Sequence, residues 1–178
     1  MSARQRKARL SVRETAAFAM FGALMYASKE IMAVLPNIHL LGMFTMLLTL
    51  VYRSKALYPI YVYALLEGLT WGFPVWWPPH LYIWTLLWGV TMLLPRDMPP
   101  RAAMIVYPAV CALHGLAYGA LYAPWQALAF GLSWEGTIAW IIAGLPFDAV
   151  HAAGNLAAGL MILPLSRLLA RLNARLAK

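Results

Sequence analysis

The sequence predicts an all-α integral membrane protein: a single domain of six transmembrane helices with both termini in the cytoplasm. Three observations carry that expectation. Hydrophobic residues make up 63% of the 178 and charged ones 11%, against about 25% charged in an average soluble domain. The mean hydropathy is +0.69, and a soluble domain of this length has too little interior to hide so much apolar surface, which argues against a water-soluble enzyme. Apolar runs recur along the chain, parted by prolines and basic residues. Every lysine and arginine except Lys29 falls on one side when six spans are threaded through the sequence.

A spanning helix needs roughly 17–25 residues, and fewer where the bilayer thins. The first is expected from Val12 to Leu35, stopped by Pro36-Asn37. Its basic start (Arg4, Arg6, Lys7, Arg9, Arg13) and uncharged run from Thr15 to Ser28 imitate a secretory signal. Cleavage after Ala27 would leave Met25 where a small residue belongs, so a membrane helix is the expectation. The second runs from Ile38 to Tyr52 and ends at Arg53 and Lys55. The third runs from Leu57 to Gly72. Phe73 to His80 holds three prolines, which remove donors and crowd the preceding turn, so no regular helix is expected there. The fourth runs from Leu81 to Leu94, before a Pro95–Pro100 break flanked by Arg96 and Arg101. The fifth runs from Ala102 to Tyr122, and Pro124–Gly136 reads as a connection. The sixth runs from Thr137 to Leu172, with a kink expected at Pro146 and a basic end leaving the membrane.

The net charge of +8 is therefore topological and does not point to nucleic acid. Lysine and arginine mark the cytoplasmic side, while Trp76, Trp77, Trp125 and Trp134 form an outer aromatic belt. Arg167, Arg171 and Arg175 repeat every four residues as a basic stripe, suited to the anionic inner surface or to water. Cys111, the single cysteine, reads as a small hydrophobe.

Polar residues inside apolar spans are costly and carry the functional expectation. Glu67 shares a helix face with Tyr63 and Trp71. It either meets a cationic or N–H-rich ligand or bonds a neighbouring helix. Asp148, His151 and Asn155 share one face after Pro146, as ligand contacts or as an interhelical clamp. Asp148 is the strongest ligand candidate and Asn155 the deepest. Lys29 and Glu30 end the first helix. His114 and Tyr118 lie four apart. Trp84 and Trp88, with Trp71, are placed to wall a pocket for a flat ring. No hydrolase elbow, zinc-protease motif, phosphate loop or CxxC pair occurs, and no cofactor is implied. A metal held by His114, His151 and Asp148 is chemically possible but has no support from spacing. Ala19, Ala23 and Ala27 form a small-residue ladder, with Ala16 and Gly22 nearby, for a close helix partner inside or outside the chain.

With these residues in place, the chain resembles the S component (the substrate-binding membrane subunit) of energy-coupling factor vitamin transporters. The resemblance rests on the six spans, Ala19-x-x-x-Ala23, Leu35-Pro36-Asn37-Ile38, Leu65-Leu66-Glu67-Gly68 and Gly144-Leu145-Pro146-Phe147-Asp148-x-x-His151-x-x-x-Asn155. It implies a multi-pass protein of the cell membrane that captures a vitamin or precursor from outside, gated by the loop that contains Asn37. It also implies docking through Ala19 and Ala23 on a membrane T component driven by two cytoplasmic ATPases. Ser2 stands where the nickel and cobalt branch carries histidine, which disfavours a metal substrate. Glu30, Glu67, Asp148 and the tryptophans lean toward a flat, nitrogen-rich ligand, with cobalamin as a competitor. The rivals are a stand-alone proton-coupled secondary transporter using Glu67 or Asp148, a membrane enzyme with Asp148 and His151 as an acid–base pair, and a structural subunit without a ligand.

Overall fold

The computed structural model describes residues 10–176, and the expectations placed on Ser2, Arg4, Arg6, Lys7, Arg9 and Lys178 lie outside them. The fold is all-helical, with no strand among the described residues. Helix α1 spans Val12–Ile31. Ser11 caps its start, accepting from the Glu14 amide while the Glu14 carboxylate accepts from the Ser11 amide. Each end of a helix leaves four backbone groups unpaired, and this reciprocal cap satisfies two of them. Helix α2 is Leu41–Tyr52, α3 Leu57–Trp71, α4 Pro79–Leu93, α5 Pro100–Leu116, α6 Tyr118–Phe130, α7 Trp134–Gly159 and α8 Ile162–Leu176.

Helix α2 is the pillar. Every residue from Leu41 to Thr49 is buried, the pattern of a helix apolar on all sides and covered all round. It packs against α4, α5, α7 and α8, while α1 lies on α3 and α5 on α7. Glycines set the closest approaches. A Cβ on Gly22 of α1 would overlap Val62 of α3, and one on Gly159 of α7 would come 2.6 Å from Pro108 Cα of α5. Small residues at such crossings let helix backbones approach, which is the main source of packing energy where lipid is the solvent.

Three helical stretches are long and apolar enough to cross a membrane: Val12–Val34, Pro100–Phe130 and Trp134–Gly159. The pillar α2, at about 18 Å, is shorter than the roughly 30 Å hydrocarbon core.

Several boundaries differ from those expected. Helix α1 stops at Ile31 and gives way to a 3-10 turn at Met32–Val34, and α2 begins at Leu41 instead of Ile38. Helix α4 begins at Pro79, so His80 is helical. Proline suits the first helical position because its missing amide would be unpaired there anyway. The chain breaks at Ala117, and α6 runs through Pro124 to Phe130 before Gly131 ends it at φ 65. The expected Pro124–Gly136 connection is thus mostly helix: Trp125 to Phe130 are good helix or membrane residues, and one proline within an apolar segment is tolerated. The last expected span is two helices. Pro146 lies inside α7, and the break falls at Leu160-Met161, because Pro164 cannot donate to the carbonyl of Leu160 and its ring crowds that turn.

Candidate functional site

The most buried carboxylate organises one end of the molecule. Glu67 on α3 has no exposed surface. Tyr63, one turn earlier on the same helix, donates to Glu67 Oε2 over 2.9 Å. Lys29 Nζ of α1 lies 2.8 Å from Glu67 Oε1, and His80 Nδ1 of α4 lies 2.5 Å from Oε2. The Lys29 contact is an ion pair, and the His80 ring nitrogen adds a second close polar contact. Lys29 also reaches Glu30 at 3.3 Å, and its ammonium stands 5.9 Å from the ring centres of both Trp71 and Trp76. Those distances suit cation–π attraction. Three helices are thereby tied together through one carboxylate. Lys29 and His80, which sequence reasoning did not attach to Glu67, are its partners.

The loop between α3 and α4 roofs this end. Trp77 Nε1 donates to the Ala64 carbonyl at 2.7 Å, Trp125 Nε1 to Val75 at 2.6 Å, and the Tyr122 hydroxyl to Trp76 at 2.8 Å. Aromatic donors thus take up two loop carbonyls and tie the loop's Trp77 to α3, which is how aromatic residues work where one end is apolar and the other polar.

Beneath the roof lies a second cluster. His151 of α7 packs on His39, with ring centres 4.5 Å apart, and on Tyr118 at 4.9 Å. Trp84 of α4 stands 5.7 Å from His39, 5.5 Å from His114, 6.0 Å from Tyr118 and 6.4 Å from Tyr63. Trp84, His114 and His151 are buried. His114 Nε2 is 3.2 Å from the Ile83 carbonyl. Donation there assigns the proton to Nε2 and leaves Nδ1 an acceptor. Trp84 Nε1, His39 Nδ1, His114 Nδ1 and His151 Nε2 are buried without a hydrogen-bond partner. Four unpartnered nitrogens in one cluster are unusual, since buried polar groups are overwhelmingly paired.

Asp148 is close by but engaged elsewhere. Both of its oxygens accept from the Gly119 amide at 3.1 Å. Gly119 stands in the first turn of α6, where amides lack helical partners and Ala117 offers no capping side chain. Asp148 therefore caps α6 across the helix interface. A Cβ on Gly119 would come 2.5 Å from Asp148 Oδ2. Asn155, fully buried, donates to the Cys111 carbonyl at 3.1 Å and lies against Gly42 and Gly115, which makes it a brace between α7, α5 and α2.

The structure thus brings together Glu67, Tyr63 and Trp71 at the roof, and Trp84, His114 and His151 beneath it. Asp148 and Asn155 occupy the same face of α7; with His151 and Gly159 they are its buried residues. Asn37 is exposed in the loop after α1 at φ 61. His39 is the member of the cluster that sequence reasoning missed. It sits in a loop, outside any helical spacing, and its one signal was an imidazole next to an apolar run. Ala16, Ala19, Ala23 and Ala27 all face outward, whereas Gly22 faces α3. A groove of about 550 Å3 on this outer face is lined by Met20, Phe21, Ala23, Leu24 and Ala27. A larger one of about 660 Å3 runs along the outside of α3 beside Tyr58, Tyr61 and Leu65; neither opens on the histidine cluster. Among the described residues no three His, Cys, Asp or Glu side chains are placed to hold a metal ion. No family model, curated protein or solved structure matches this chain.

Proposed function

We propose that this protein is the substrate-binding S component of an energy-coupling factor importer. In this reading it is a six-span protein of the cell membrane with both termini cytoplasmic. It captures a vitamin-like molecule from outside and delivers it by docking on a membrane T component with two ATPases. The observation that carries the reading is the Trp84–His39–His114–Tyr118–His151 cluster, buried at Trp84, His114 and His151, with four unpartnered ring nitrogens. Such nitrogens are the recognition elements of a small polar ring in an apolar site. The short helix α2 is compatible with six spans because it is sheathed by other helices and need not meet lipid alone.

The engaged carboxylates narrow the ligand. Glu67 is taken by Lys29, His80 and Tyr63, and Asp148 by Gly119. The groups left for recognition are imidazole nitrogens and an indole N–H. They favour an uncharged flat heteroaromatic offering both a donor and an acceptor over a cationic ligand. The test is native mass spectrometry of the purified protein, with identification of co-purified molecules and a thermal-shift panel of vitamins and precursors that includes cobalamin. A bound heteroaromatic, lost in Trp84→Phe and His151→Ala but kept in Glu30→Gln, is expected. An empty protein that no panel member stabilises overturns the reading.

A second reading draws on Glu67 held between Lys29 and His80. A stand-alone proton-coupled carrier built on that carboxylate takes up substrate in vesicles that lack ATPases, driven by a pH gradient and abolished by Glu67→Gln.

A further inference from the structure

The end of the molecule opposite the Trp–His cluster carries a groove of about 420 Å3 where α2, α5 and α8 meet. Three guanidinium side chains from three different segments line it: Arg53 after α2, Arg96 between α4 and α5, and Arg167 on α8. Its remaining wall is largely apolar, with Leu50, Met98 and Leu163 among the lining residues. No carboxylate lines it, and none of the three arginines forms an ion pair among the described residues. Asp97, next to Arg96 in sequence, is exposed. Arg53 spends one nitrogen on the Met92 carbonyl at 2.8 Å, which caps the end of α4, and its Nε is buried without a partner.

Like charges gathered around one groove repel each other unless an anion sits between them. Guanidinium is the side chain best matched to phosphate oxygens, through paired N–H donors. Free inorganic phosphate or a soluble nucleotide would leave the apolar wall wet. An anionic phospholipid uses both features: its phosphodiester meets the arginines and its acyl chain lies along Leu50, Met98 and Leu163. Basic pockets between membrane helices on the cytoplasmic side hold lipid headgroups on this principle. We infer that the Arg53–Arg96–Arg167 groove is a binding site for the phosphate of an anionic phospholipid. The inference rests on the protein being membrane-embedded and is independent of what it transports.

The experiment uses the full chain in nanodiscs of phosphatidylcholine with or without phosphatidylglycerol, followed by native mass spectrometry after detergent release. One phosphatidylglycerol retained per chain, in preference to phosphatidylcholine, is the expected result. The double variant Arg96→Gln/Arg167→Gln should lose that retention at least tenfold. Arg101→Gln/Arg175→Gln removes the same charge outside the groove and should keep it. Arg53 is left intact because it caps α4. Millimolar inorganic phosphate should not displace the lipid. Equal retention of the two lipids overturns the inference, and this arm needs no variant to fold. So does undiminished retention in the groove variant. Displacement by phosphate alone overturns the lipid assignment in favour of a free-anion site.

Discussion

At the scale of single residues, the two buried acids have different employment. Glu67 is fully buried and touches Lys29, whose side chain is 27% exposed. Removing one partner of a buried ion pair leaves a charge stranded, at a cost of about 3–5 kcal/mol. Lys29→Met should therefore destabilise the protein by about 3 kcal/mol, the lower end because water reaches Lys29. Glu30→Gln, at the surface, should change stability by less than about 0.5 kcal/mol. Thermal unfolding in detergent checks both, and Lys29→Met combined with Glu67→Gln should recover part of the loss. Asp148 caps α6 through the Gly119 amide. Asp148→Ala should cost about 1–2 kcal/mol, Asp148→Asn less, because an amide oxygen still accepts. Gly119→Ala should resemble Asp148→Ala, since its Cβ would intrude on the carboxylate. If ligand affinity falls in Asp148→Asn while stability holds, Asp148 contacts ligand and the capping account fails.

At the scale of elements, helix α1 has two faces with different duties. Phe18, Gly22 and Met25 are buried, while Ala19 and Ala23 face outward. Gly22→Ala should destabilise by about 1–3 kcal/mol through overpacking against Val62. Ala19→Leu and Ala23→Leu should leave unfolding unchanged and, if the proposed function holds, abolish co-purification with a T component. A drop in thermal stability in the alanine variants would place that face inside the fold. The α5–α7 crossing obeys the same physics. Gly159→Ala should cost about 1–3 kcal/mol, because Pro108 is backbone that has little room to retreat.

At the scale of the whole molecule, the arrangement of charge is the testable property. Cys111 is wholly buried, so a membrane-impermeant maleimide should leave the unmodified protein unlabelled. If the proposed six-span topology holds, cysteines placed at Ser54 and Arg171 should then label from the cytoplasm, and one at Trp134 from outside. Labelling of Ser54 and Trp134 from the same side would rule out the six-span topology. The basic end also makes specific contacts. Lys55 pairs with Glu14 at 2.5 Å, Arg53 caps α4, and Tyr52 donates to Asn173 of α8 at 3.2 Å. These contacts lock the turn after α2 to three neighbouring helices.

Composition and apolar runs determined by themselves that the chain is helical and apolar enough for a membrane, because both follow from summed local preferences. The shared face of Asp148, His151 and Asn155 was legible for the same reason: helical spacing depends on the chain's own geometry. Prolines were uneven guides. Pro124 and Pro146 lie inside helices, whereas the chain breaks at Ala117, where Asp148 of a neighbouring helix caps α6, and at Leu160-Met161, one turn before Pro164. Only the tertiary structure decided what each polar residue meets. Lys29 and Glu67 are 38 positions apart in sequence and 2.8 Å apart in space, and His39, Trp84, His114 and His151 come from four separate segments. The sign of a site depends on such partners. A carboxylate read alone calls for a cation from outside, but the fold supplies that cation itself, and leaves imidazole and indole nitrogens unpaired in the interior instead.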